Sequence, residues 1–262
     1  MLRNITYIVL SCSLFFTSCI QAKSLNIASD IWCPYICNDK NLPGILIEVL
    51  TEIAKVKNIP MNFNIIPLSR SLIMAKRSEI DIVLAITKSH IQEYKLQKSV
   101  LYYGGWYNDF YINSQDKWVL NNPQDIDNFL KSGQVLGLIK GYDYGRTINN
   151  FIIKYPNSIY QATGNSPLIT SIKMLQKGRI AALLDSRFNV EYEMNKFNIV
   201  DIRYAGSEGD FVPLFLGYSP KVGIDIIEDV DDGFLFITNN GTFDQILKKY
   251  GVSNWHAQGP LK

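Results

Sequence analysis

The chain has 262 residues, an apolar fraction of 47% and a charged fraction of 19%. That balance excludes a disordered chain and suits one large or two modest folded domains with a real core. The formal net charge is +2 with the two signs interspersed and no basic stripe, so nucleic acid is not an expected partner.

Behind Arg3, the stretch "ITYIVLSCSLFF" (5–16) is apolar, and the small, polar run "TSCIQA" follows. This pattern reads as a signal peptide, residues 1–22, too short for a permanent membrane span, with cleavage expected after Ala22. The alternative is lipid attachment at Cys19, because "FTSC" is a weak lipobox. No later run reaches the roughly 18 uninterrupted apolar residues of a membrane helix. A periplasmic protein is expected, soluble or tethered at its N-terminus. Loss of residues 1–22 removes Cys12 and Cys19 and leaves Cys33 and Cys37 in "WCPYICN". In an oxidising compartment an isolated close pair is most simply a disulfide, with free thiols or thiol chemistry as alternatives. A zinc site would need two more ligands, and the only histidines, His90 and His256, are distant in sequence. The C-x-x-x-C spacing also differs from the C-x-x-C of redox pairs.

Short apolar strands then alternate with helical stretches. "LNIAS" (25–29) reads as a strand. "GILIEVLTEIAKVK" (44–57) reads as a helix with Leu46, Val49, Leu50, Ile53 and Ala54 on one face. "MNFNII" (61–66) is a strand, a helix follows around Ser71, and "IDIVLA" (80–85) is a buried strand. The pattern restarts after "YYGGWYNDFYIN". A helix is expected near Pro123, where asparagines and a first-turn proline mark a start. "QVLGLIK" and "SIYQA" read as strands around the helical "GYDYGRTINNFIIKY". "IAALLD" and "FNIVDIRYA" read as further strands. "GIDIIEDVDDGFLFITNNGTFDQILKKYG" reads as two helices separated at "NNG". The acids Glu228, Asp229, Asp231 and Asp232 are expected to be solvated near a helix start. Helices alternating with nearly continuous apolar strands imply βαβ units and mainly parallel sheets.

Two phrases 100 residues apart match at four positions: "SLIMAKRSEIDIVLA" (71–85) and "SIKMLQKGRIAALLD" (171–185). Each predicts a helix followed by a core strand, one in each half of the chain. In open α/β sheets ligands sit beyond the carboxyl ends of the strands. There the second copy delivers Asp185, while the first delivers Ala85-Ile86-Thr87. Asp185 is either a cap for the next helix or a charge facing a cleft.

Five segments, in order, resemble the extracellular solute-binding proteins of the polar amino-acid type, over residues 25–252. They are "ASDIWCPY", "IPLSRSLIMAKRSEIDIVLA", "VLGLIKGYDYG", "KGRIAALLD" and "NNGTFDQILKKYG". The resemblance implies the two-lobed type II periplasmic binding fold, each lobe a mainly parallel sheet flanked by helices, joined by two crossover strands. Lobe one would comprise 23–108 plus 210–262, and lobe two the inserted 109–209. "GGWYNDFYIN" and "FVPLFLGYS" suit the crossings. By the same resemblance Trp32 stacks on the ligand, and Asp30 and Tyr35 flank it. Tyr142 and Asp143 follow Gly141 in a loop whose main-chain donors hold an anion. Asp185 receives a cationic group. In that family a threonine is followed shortly by an arginine that clamps the ligand carboxylate. Here Thr87 leads into "TKSHIQEYK", which has no arginine, and Arg70 in "PLSRS" is the candidate substitute.

The function implied is capture of a small polar solute, an amino acid or related compound, by a monomer that delivers it to an ABC-type permease. The alternatives are a dehydratase-type enzyme on the same fold and a solute-sensing partner of a membrane receptor. The sequence shows no P-loop, G-x-S-x-G elbow or metal cluster, so neither a cofactor nor catalysis is expected.

Overall fold

A computed structural model describes residues 24–252 together with Asn254 and Trp255. The expected signal segment, with Cys12 and Cys19, and His256 lie outside the described residues. The first half runs β1 (Leu25–Ser29), α1 (Ile45–Lys57), β2 (Met61–Ile65), α2 (Leu68–Lys76), β3 (Ile82–Ile86), α3 (Lys88–Tyr94), β4 (Gln97–Lys98) and β5 (Gly104–Asn113). There follow α4 (Pro123–Lys131), β6 (Leu136–Ile139), α5 (Gly145–Lys154), β7 (Ile159–Ala162), α6 (Pro167–Gln176), β8 (Ala182–Asp185) and α7 (Arg187–Phe197). The chain returns through β9 (Ile202–Tyr218) and ends in α8 (Ile224–Asn239) and α9 (Thr242–Lys249).

The strand order is β2-β1-β3-β9-β5-β8-β6-β7, with β4 also on β9. Two parallel trios sit at the ends of this order: β1 between β2 and β3, and β6 between β7 and β8. The long strands β5 and β9 pair antiparallel from Gly104–Leu214 to Asn113–Ile202 and run from one trio to the other. These are the crossover strands of a two-lobed α/β architecture. Helix α1 buries Ile45, Leu46, Val49, Leu50 and Ile53 and stops where Asn58 turns left-handed, its N–H bonding Ala54 O.

The repeated phrase is a repeat in three dimensions. Ser71 and Ser171 are both wholly buried, as are, nearly so, Ile80 and Ile180 and Leu84 and Leu184. Ser78 and Gly178 take matching left-handed conformations (φ 61° and 63°). The next N–H, of Glu79 or Arg179, bonds the carbonyl of Met74 or Met174 at 2.9 Å in both copies. The copies part at the strand ends. Asp185 stays in register opposite Asp109 of β5. Ala85 turns to φ 55°, where the pairing of β3 with β9 shifts register between Val83 and Ile86. A left-handed alanine at a strand end is strained, and such strain is often found at binding clefts.

Two local expectations differ from the structure. The stretch 197–205 does not form one strand, because α7 continues through Phe197 and caps at left-handed Asn198, so the strand begins at Ile202. Nor are the four acids of α8 uniformly solvated. They lie in the body of the helix. Asp231 is buried, accepting Val100 N (2.6 Å) and the Tyr103 hydroxyl (2.8 Å), while Asp229 pairs with Lys57 at 3.0 Å. A polar pattern alone cannot show that a loop from β5's approach covers one turn of the helix.

Candidate functional site

The carboxyl ends of β1, β3, β6 and β8 converge on one cleft. Ser29, Asp30, Trp32, Leu68, Ala85, Thr87, His90, Trp106, Tyr142, Asp143 and Leu214 line a cavity there of about 20 Å³, room for about one water molecule.

The cleft is spanned by its own side chains. Trp32, beyond β1, donates through Nε1 to Asp185 Oδ1 at 3.0 Å. The Tyr142 hydroxyl donates to Asp30 Oδ2 at 3.2 Å. Thr87 donates through Oγ1 to Asp143 Oδ2 at 2.9 Å. His90 Nε2 lies 2.9 Å from Gly141 O. Because the Thr87 N–H donates to His90 Nδ1 (3.3 Å), the proton sits on Nε2, which donates to that carbonyl. Asn189 of α7 adds bonds to the carbonyls of Trp32 (3.2 Å) and Cys33 (2.7 Å). Gly141, at φ 88°, is close enough to α2 that a Cβ there would meet Ser69 Cβ at 3.1 Å.

Three rings stand nearly at right angles around the cavity. Trp32, Trp106 and Tyr142 have centroids 5.9, 6.0 and 6.1 Å apart and interplanar angles of 79°, 79° and 73°. Tyr35 does not line the cavity. It is wholly buried behind Trp32, stacked on it at 4.9 Å, with its hydroxyl donating to Gly105 O at 2.6 Å. Cys33 and Cys37 form a disulfide that closes the turn carrying both rings.

The electrostatics are dominated by carboxylates. Asp30 and Asp185 are buried, and burial pushes both up to about 7, against the smaller opposing effect of their hydrogen bonds from Tyr142 and Trp32. Asp185 Oδ1 also accepts the Ser186 N–H at 2.7 Å, whereas Oδ2 has no partner. It bonds no N–H inside α7, so a capping role is not what holds it there. For Asp143, burial works upward, but donors from Ser89, Gly145, Thr87 and Asn149 outweigh it and hold the carboxyl below its ordinary value. Burial holds the His90 imidazole low, hence neutral. No Lys or Arg lines the cavity. Arg70 is exposed on α2 and is not among the residues that line it.

Thus Asp30, Trp32, Thr87, Tyr142 and Asp143 lie together at the cavity, with Asp185 behind Trp32. Sequence reasoning missed His90 and Trp106. His90 is three residues after Thr87, the third helical position of a capping box, which is a readable signal. Trp106 carried a signal only as an aromatic in the crossover strand. Among the described residues, no group of three or more His, Cys, Asp or Glu could hold a metal, and no helix is long and apolar enough to cross a membrane.

No protein-family model matches the chain, and no curated protein matches it by sequence. Solved structures do match. A histidine kinase sensor domain with similarity to periplasmic binding proteins superposes with TM-score 0.72 at 12% identity, over 87% of this chain and 96% of that one. An ancestral arginine-binding protein bound to arginine gives 0.72 at 15% identity, over 87% and 98%. An ABC uptake transporter substrate-binding protein from Streptococcus pneumoniae with bound histidine gives 0.69 at 16% identity, over 87% and 92%. Likeness at such identities is one of fold, and the chain has the two-lobed architecture of the periplasmic binding proteins.

Proposed function

We propose that this protein captures a small polar solute bearing a cationic group between its lobes and, as an exported monomer, delivers it to an ABC-type permease. The observation that carries the reading is the pair Asp30 and Asp185. Both are buried at strand ends, one from each parallel trio, Asp30 on the aromatic-lined cavity and Asp185 bonded to Trp32 behind it, and neither has a cation partner among the described residues. Desolvated carboxylates are costly unless something positive joins them, and a solute that does so would draw the lobes together. The binding-protein neighbours support the same role. On this reading lobe one is 23–108 plus 210–262, lobe two is 109–209, and β5 and β9 carry the hinge. Trp32 supplies the stacking face and Tyr142 positions Asp30.

We read the protein as a binder and not an enzyme, since the Thr87 hydroxyl is committed to Asp143 and to capping α3. A sensing role is the second reading, favoured by the sensor-domain neighbour. Thermal unfolding across a panel of amino acids, amines, sugars and carboxylates tests the proposal. A solute at 100 times its Kd should add about 2.7 kcal/mol of stability. No stabilisation by any member, or conversion of a bound member into product, would refute it.

A further inference from the structure

We infer that the cleft takes an organic cation without a carboxylate, an amine or guanidine in place of a zwitterionic α-amino acid. This rests on the cleft being the solute site, and it narrows what that site accepts.

The cavity offers an anion no positive charge. Its charged groups are Asp30 and Asp143, with Asp185 joined to Trp32, and its one histidine is held neutral between Thr87 and Gly141. The two donors of Thr87 that a carboxylate could use are engaged. The Thr87 N–H goes to His90 Nδ1, and its hydroxyl goes to Asp143 Oδ2. Asp143 is fixed there by its other oxygen, which accepts from Gly145 N (3.0 Å) and Asn149 Nδ2 (3.2 Å). The protein's own carboxylate thus sits where a ligand's would bond to Thr87. A zwitterion would have to displace it and hold its anionic end among like charges, which is selection by repulsion.

A cation meets the opposite conditions. Asp185 Oδ2 is buried with no partner, and Asp30 is held only by neutral donors, the hydroxyls of Tyr142 and Ser29 and its own N–H. The near-perpendicular walls of Trp32, Trp106 and Tyr142 can turn ring faces toward an ammonium or guanidinium once the cleft opens. Trp106 Nε1, buried and unpartnered, is a neutral donor suited to a hydroxyl or carbonyl oxygen and is no substitute for a guanidinium clamp on a carboxylate.

The test compares ligands that differ by the α-carboxylate alone: cadaverine against L-lysine, and agmatine against L-arginine. Each is titrated calorimetrically into the protein at pH 7.5, beside L-glutamine, L-glutamate and L-histidine. In at least one pair the decarboxylated member should bind tenfold or more tightly than its amino acid. In Asp143→Asn, which removes the competing charge, that gap should narrow at least threefold. An amino acid that binds as tightly as its decarboxylated partner would overturn the inference, as would an unchanged gap in a folded Asp143→Asn protein. If only a neutral or acidic amino acid binds, the inference fails while solute capture stands. If none binds and the wider thermal panel is also silent, both fail.

Discussion

Replacing Asp185 with asparagine separates what the carboxylate does for the fold from what it does for the solute. The carbonyl oxygen of Asn can keep the bonds from Trp32 Nε1 (3.0 Å) and Ser186 N (2.7 Å), while the amide nitrogen takes the place of the partnerless Oδ2. Burial has moved this carboxyl from 3.8 to about 7. The folded form therefore holds the proton more tightly than the unfolded chain, so the empty protein loses stability as pH rises from about 4 to 7. The loss is complete above that window, and about three units at about 1.4 kcal/mol each make it about 4 kcal/mol. Asparagine removes that loss but buries an amide N–H without an acceptor, which costs about 1–3 kcal/mol. Asp185→Asn should accordingly stabilise the empty protein by about 1–3 kcal/mol at pH 8 and destabilise it by a similar amount at pH 4. Solute affinity should fall roughly 10- to 150-fold, the loss of one charge-assisted bond. Urea unfolding at the two pH values, beside calorimetric titration with the solute found by the thermal panel, measures both. A stability change independent of pH, or undiminished affinity in the folded variant, would refute the reasoning.

Cation affinity should rise between pH 6 and 8 by about 10-fold if one of Asp30 and Asp185 must ionise and about 100-fold if both must. The groups facing them are Tyr142, Ser29 and its own N–H at Asp30, and Trp32, Ser186, Asp30 and Asp109 at Asp185, so a flat calorimetric profile would exclude carboxylate recognition. Asp231→Ala strands the Val100 N–H and the Tyr103 hydroxyl; it should cost about 2–4 kcal/mol in urea unfolding while leaving solute affinity within twofold. Thiol labelling of the unreduced, denatured protein should find Cys33 and Cys37 unreactive, and their reduction should cost less than the roughly 3 kcal/mol of a 15-residue loop because this loop is much shorter.

Much of this architecture was legible because its signals are local and periodic. The apolar stripe of α1, the asparagine and proline opening α4, and the paired helix–strand phrases each specify an element without reference to the rest of the chain. The phrase repeat even located the divergent residue, since matching two copies singles out Asp185 against Ala85. Legibility ended where side chains from distant segments meet. Nothing near Thr87 announces that Asp143, 56 positions on, would take its hydroxyl, or that His90 would reach Gly141. Arg70 illustrates the converse: its place at a helix start was readable, but the direction of its side chain depends on how α2 sits against the second half. Asp231 was misjudged for the same reason, as burial by the segment before β5 leaves no trace in the pattern of α8.

Two buried carboxylates and an aromatic corner form the proposed solute site between the lobes. Native mass spectrometry of the protein, purified without unfolding and then titrated with the solute panel, reads its occupancy. One small molecule per chain, released by acid and not retained by an Asp30→Asn, Asp185→Asn double variant, is the result expected. A chain that carries no adduct and takes up none of the panel, or whose adduct survives in the folded double variant, would contradict it.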